Sequence, residues 1–150
     1  MARNEGTKPK LFVDADVLFA GSASPSEHSA SLMVLALSEI TLIRALTSEQ
    51  VVAEAKRNLE AKIPKALPAF QHLVSRCLTV VPDPELENIA QHNGLADPKD
   101  LPILAAAIRE RCPWFVTFNL RDYQPGHPDV NVLKPGEFIS RIREQLAHLR

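Results

Sequence analysis

Leu11-Phe12-Val13-Asp14-Ala15-Asp16-Val17-Leu18 opens with three consecutive apolar residues and then sets two acids two positions apart. A short apolar run without alternation is the mark of a strand covered on both faces, as in a parallel sheet flanked by helices. On an extended strand, residues two apart share a face at about 7 Å. Asp14 and Asp16 are therefore expected to project together from the carboxyl end of a central strand. Carboxylates in such a place are costly unless they are solvated, paired or bound to a cation. The plainer alternative is that they only terminate the strand and cap the loop behind it.

Working outward, similar apolar runs recur at Ile40–Ala45, Leu78–Val81, Phe115–Phe118 and Val130–Leu133. Helical patterns separate them. Gly21 to Ser26 reads as a small-residue loop, with Ser26 capping a helix over Glu27–Glu39. Thr47-Ser48-Glu49-Gln50 has the form of a capping box, Thr47 at N-cap and Gln50 at N3, before a helix ending near Lys62. Further helices are expected from Pro64 to Arg76, from Glu85 to Gly94, from Asp97 to Arg111, and from Pro135 onward. Strand and helix alternate throughout, so the expected fold is α/β. It has a parallel sheet of about five strands with helices on both faces. Residues 1–9 read as a flexible lead and residues 10–150 as one domain, a division that suits a chain of 150 residues. In open sheets of this class the working groups gather at the carboxyl ends of the strands.

Bulk properties narrow the function classes. The formal net charge is −1, so any nucleic-acid contact must come from a local basic patch rather than overall charge. The two cysteines, Cys77 and Cys112, form no metal-binding spacing and read as buried thiols of a reducing compartment. The polar start lacks the apolar core of a secretory signal, and no apolar run is long enough to span a bilayer. A cytoplasmic location without membrane contact is expected.

Other acids fall where a sheet-edge site would draw them. Glu54 sits to one side of its helix's apolar stripe, with Arg57 and Asn58 one turn on, and by itself reads as a solvated residue. Asp97, Pro98 and Asp100 fit N-cap, N1 and N3 of a helix, a sufficient structural reason for both acids. Asp122 follows the fourth strand and by itself reads as a turn residue. Taken together, acids behind two strands and on two helices can face one edge. There they would repel one another without a compensating cation. Hard oxygen ligands suit Mg²⁺ or Mn²⁺, a chemistry able to activate water against a phosphodiester and to stabilise the leaving oxygen.

These segments resemble the PIN-domain family, especially its VapC-type toxins. Leu11–Leu18 resembles the opening strand with the first catalytic acid at Asp14, and Val51–Glu54 the helix bearing the second at Glu54. Asp97–Ala107 resembles the helix of the third, at Asp100, and Phe115–Tyr123 the fourth segment, with Asp122. Val132–Phe138 is similar to the close of one subgroup. The resemblance implies metal-dependent hydrolysis of RNA by Asp14, Glu54, Asp100 and Asp122. For the toxin branch it also implies a homodimer inhibited by a small antitoxin protein. Asp16, Asp97, Thr117 and Asn119 are supporting candidates, and Arg57, Lys99 and Arg121 are candidates for phosphate contact. The chain departs from the family in two places. Asn119 stands where many members have Asp, and Asp16 where many have a small polar residue. Two rivals share the pattern. One is a PIN-fold module that binds RNA or protein without cutting. The other is a haloacid-dehalogenase-type phosphatase, whose nucleophile would be the first Asp of Asp14-Ala15-Asp16.

Overall fold

Leu11, Phe12 and Val13 are wholly buried in the first strand, β1 (Lys10–Val13), of a computed structural model that describes residues 8–23 and 29–148. β2 (Arg44–Ser48), β3 (Leu78–Val81), β4 (Trp114–Val116) and β5 (Asn131–Leu133) complete a sheet of order β3-β2-β1-β4-β5. Every pairing is parallel. β1 is thus central, as its unbroken apolar run requires. Phe12 stacks on Phe115 across β1 and β4 with ring centroids 5.6 Å apart, and Phe115 continues onto Tyr123 at 4.4 Å.

The helices are α1 (Ala15–Ala23), α2 (Ala30–Glu39), α3 (Glu49–Lys62), α4 (Leu67–Cys77), α5 (Leu86–Ala90), α6 (Leu101–Arg109) and α7 (Pro135–Ala147). α1 packs on α2, α3 and α4, and α2 packs on α7. α5 packs on α6 within the crossover from β3 to β4. That crossover runs across the sheet in the reverse direction. Right-handed connections therefore put α5 and α6 on the face opposite α1–α4. The direction reverses between β1 and β4, and a crevice opens there at the carboxyl ends of the two strands. Cys77 and Cys112 are both buried free thiols. Among the described residues no helix is long and apolar enough to cross a membrane.

Several local expectations need correction. Gly21 belongs to helix α1, not to a loop. A methyl group at Gly21 would lie 2.9 Å from Leu35 Cδ1, so its smallness serves the close approach of α1 to α2. The expected cap Ser26 lies outside the described residues; Ser29 caps α2, its hydroxyl accepting from the Leu32 N–H. β2 begins at Arg44, because Ile40 and Leu42 are exposed and Thr41 takes a left-handed φ of 63°. Ser48, not Thr47, caps α3. Thr47 instead donates its hydroxyl to Val13 O, at 2.8 Å, from within the sheet. Residues 1–7 of the expected lead lie outside the described residues.

Candidate metal centre

β1 delivers Asp14 to the switch point, and the chain turns there at once into α1. The N–H groups of Val17 and Leu18 donate to Asp14 O, and that of Ala15 to Asp14 Oδ1 at 2.8 Å. Asp16 consequently lies in the first turn of a helix and not on an extended strand. The two carboxylates still meet, because both reach the hydroxyl of Thr117, which follows β4. Thr117 Oγ1 is 2.8 Å from Asp14 Oδ2 and 3.3 Å from Asp16 Oδ2, and it accepts the Asn119 N–H at 3.0 Å. The Phe118 N–H donates to Asp16 Oδ2 at 3.0 Å. Tyr123, carried by the 3₁₀ turn Leu120–Tyr123, donates its phenol to Asp14 Oδ2 at 3.1 Å.

Asp97-Pro98-Lys99-Asp100 forms a turn ahead of α6 and is not its first helical turn. Asp100 occupies the N-cap, but its side chain makes no capping bond and is left to face the crevice. Asp97 accepts the Lys99 N–H on Oδ1 and sends its own N–H to Asp122 O at 2.8 Å. It thereby ties this turn to the turn bearing Asp122. Lys99 Nζ lies 2.7 Å from Asp100 Oδ2 and 3.3 Å from Asp122 Oδ2. The ammonium is exposed, yet it bridges two of the expected metal ligands.

Asp14, Asp16, Glu54, Asn58, Lys99, Asp100, Asn119 and Asp122 line one cavity of about 310 Å³. The four acids expected at the centre are brought together, with Asp16, Asn119 and Lys99 beside them. Asp97 acts from behind the wall. Among the described residues Arg57 and Arg121 do not line the cavity, though the Arg57 charge is felt at Glu54. Sequence reasoning did not single out Asn58 or Tyr123 as site members. A larger cavity of about 460 Å³, beside Cys112 and His127, gathers no such set of acids. Chemistry rather than size distinguishes the site.

The electrostatics carry the imprint of crowded carboxylates. Burial raises the Asp14 pKa above the ordinary range, against the lowering effect of its bonds from Thr117, Ala15 and Tyr123. Burial, and then the Asp14 charge, push Asp16 up to about 6. Glu54 is raised by burial, and further by the charges of Asp14 and Asp100. The Tyr123 phenol is raised, chiefly by burial and then by Asp14, and so stays a hydrogen-bond donor. Lys99 is raised by its bond to Asp100.

Among the described residues no three of His, Cys, Asp or Glu stand close enough to hold one metal ion as they are. The donor set nonetheless fits a hard divalent cation. It consists of oxygens, it is negatively charged beyond what one Lys99 balances, and Asp16 Oδ1 is buried without a partner. Mg²⁺ keeps several of its waters, so it needs few direct carboxylate bonds.

Asp16 gives a pH-dependent consequence. Its folded pKa, about 6, lies above its unfolded value, 3.8, so the folded state holds the extra proton between those limits. Stability therefore falls as pH rises through that window, and Asp14 and Glu54 act in the same sense. In Asp16→Asn the amide oxygen can take the Oδ2 bonds while the NH₂ replaces the unpartnered Oδ1. This variant is expected to be more stable than the parent at pH 7 by about 1–2 kcal/mol, after allowance for partial exposure. The gap should close below about pH 4 in metal-free thermal melts. A gap independent of pH would show that the charge of Asp16 is not what strains the fold.

A PIN-domain family model matches residues 10–121. The chain belongs to the PIN-domain family. Among solved structures this PIN domain is similar to a chain of VapBC2 from Rickettsia felis, determined bound to a DNA fragment from their promoter. The TM-score is 0.63, with 15% identity over 83% of this chain and 98% of that one. At that identity the likeness speaks for the fold. No curated protein matches the chain in sequence. The PIN assignment displaces the haloacid-dehalogenase-type alternative.

Proposed function

We propose that this PIN domain is a divalent-metal-dependent endoribonuclease, and that it acts in the cytoplasm as the toxin of a toxin–antitoxin pair. PIN domains are generally nucleases, and one observation carries the reading here. Asp14, Glu54, Asp100 and Asp122, from four separated parts of the chain, line a single crevice at the switch point of the sheet. Asp14, Glu54, Asp100 and Asp122 would hold Mg²⁺ or Mn²⁺ there, directly or through water. Such an ion, when bound, polarises the phosphoryl group and offsets charge on the leaving oxygen.

The chain's own residues do the rest. Thr117 and Tyr123 fix the Asp14 carboxylate by two donated hydrogen bonds, so its orientation is set before substrate arrives. Lys99, close to Asp100 and Asp122, would present an ammonium to the phosphate. Arg57 and Arg121, outside the cavity lining, are the further candidates for contact with the RNA backbone. Asn119 lines the cavity through an amide, suited to orienting water or substrate rather than to ligating a cation. The likeness to a VapBC2 chain supports a small antitoxin protein as the inhibitory partner. The homodimer proposed as the working unit rests on the family resemblance alone.

The test is incubation of purified protein with labelled single-stranded and hairpin RNAs, in EDTA and after adding back Mg²⁺ or Mn²⁺. Cleavage is expected only with the metal, with products ending at internal phosphodiesters. RNA bound but uncut at saturating Mn²⁺ would instead select the non-catalytic binding module. Co-purification with the product of an adjoining small open reading frame tests the toxin assignment.

A further inference from the structure

The Phe118 side chain takes no part in the acid network and does not line the cavity, but its backbone is held beside it. Its N–H is bound to Asp16 Oδ2, and its neighbours are Thr117, which is wholly buried, and Asn119, which lines the cavity. The backbone is thus fixed on both sides of Phe118, a residue that is 43% exposed. The other large apolar side chains exposed among the described residues are Met33, Ile40, Leu42, Val80 and Leu86. All five are aliphatic, and they lie on or beside α2, on the edge strand β3 and on α5. Phe118 is the one aromatic in this group and the one beside the acids.

A phosphodiester chain entering this crevice meets crowded carboxylates, with Lys99 as the sole cation in the lining among the described residues. A contact that is indifferent to charge then adds to whatever the cation and the basic side chains supply. An aromatic face serves this end, because every nucleobase presents a π surface to stack on it. A base that is paired within a duplex cannot turn out to meet the ring.

Resting on the nuclease reading above, we infer that Phe118 is a stacking platform for an unpaired base next to the phosphate held over the acids. The ring would position the strand and take no part in bond cleavage.

The experiment uses the Asp100→Asn chain, expected to bind without turnover, and a labelled single-stranded RNA octamer with Mg²⁺. Phe118→Ala on that background should weaken binding by about 5- to 150-fold, and Phe118→Trp should retain it. An abasic site scanned along the octamer should weaken the Phe118 chain at one position, and should cause no further loss there in Phe118→Ala. Circular dichroism checks that each variant is folded. Equal binding by Phe118 and Phe118→Ala chains, or additive losses at every abasic position, would overturn the inference. So would intact RNA binding in a Phe118→Ala chain that has lost a co-purifying protein partner, since the ring would then serve that partner. If the unsubstituted chain neither binds nor cuts RNA, the nuclease reading itself has failed, an outcome distinct from those just named.

Discussion

Asp100→Asn is expected to lower metal-dependent RNA cleavage by about 10³-fold or more while leaving the fold intact. Each half of that expectation has its own cause. Asp100 makes no capping bond to α6, and asparagine is as good an N-cap residue as aspartate. Its one ion pair is with an exposed lysine, so losing it costs at most about 1 kcal/mol. Function is another matter. The Asp100 side chain is only 13% exposed and faces the crevice, where a neutral amide is a far weaker partner for a divalent cation. A loss of about 10³ corresponds to about 4 kcal/mol of transition-state stabilisation, a reasonable share for one of four proposed ligands. Asp14→Asn should be equally inactive but is a less clean test. Asp14 accepts from Ala15, Thr117 and Tyr123 together, and an amide must turn its NH₂ toward at least one of those donors. Melting curves and single-turnover cleavage, measured on the same preparation, decide the matter. A fully active Asp100→Asn chain would remove the mechanism.

The same distinction between local and assembled information governs how much could be read from the chain. The central strand was legible because Leu11–Val13 carries its signal in composition, an apolar run that only a doubly covered strand can bury. Leu78–Val81 was likewise closed by Pro82 and Pro84 just beyond it. Helix α1 was not legible. It buries Ala15, Val17, Leu18, Gly21 and Ser22, and Gly21, one of the small residues that blur its pattern, makes room for Leu35. The apolar Ile40 and Leu42 pointed to a strand start that the exposed turn before β2 does not honour. Thr47 looked like a cap until a partner 34 residues away, Val13 O, took its hydroxyl.

For the site, the acids were legible as a set because Asp14, Asp100 and Asp122 follow a strand or head a helix, and because all the segments, with Glu54 inside its helix, resemble the PIN pattern in order. The links between them were not. Tyr123 reaches Asp14 across 109 positions and Thr117 across 103. Lys99 had the look of a phosphate contact, and the bridge it makes from Asp100 to Asp122 depends on two turns being tied through Asp97. A single sequence lists the side chains that can bond. The topology decides which of them do.

Thr117 is where these long-range links converge, and removing its hydroxyl should be the most damaging single change outside the acids. Thr117→Val keeps the shape of a wholly buried residue but deprives Asp14 Oδ2 of a donor and the Asn119 N–H of its acceptor. A buried bond to a charged group and an orphaned amide together cost about 2–4 kcal/mol. Burial already holds the Asp14 pKa up and the Thr117 bond opposes it, so the valine variant should raise that pKa further. The acid limb of any cleavage profile should then move to higher pH, and cleavage at neutral pH should fall by about 10- to 100-fold. Thr117→Ser separates the hydroxyl from the methyl. It should lose about 1 kcal/mol of stability through the missing methyl, yet keep the acid limb in place and most of the activity. A residue that only filled space would give the opposite order, with valine active and serine impaired. Finding that order in paired melts and pH–rate profiles would mean that Asp14 does not depend on Thr117 for its charge or its orientation.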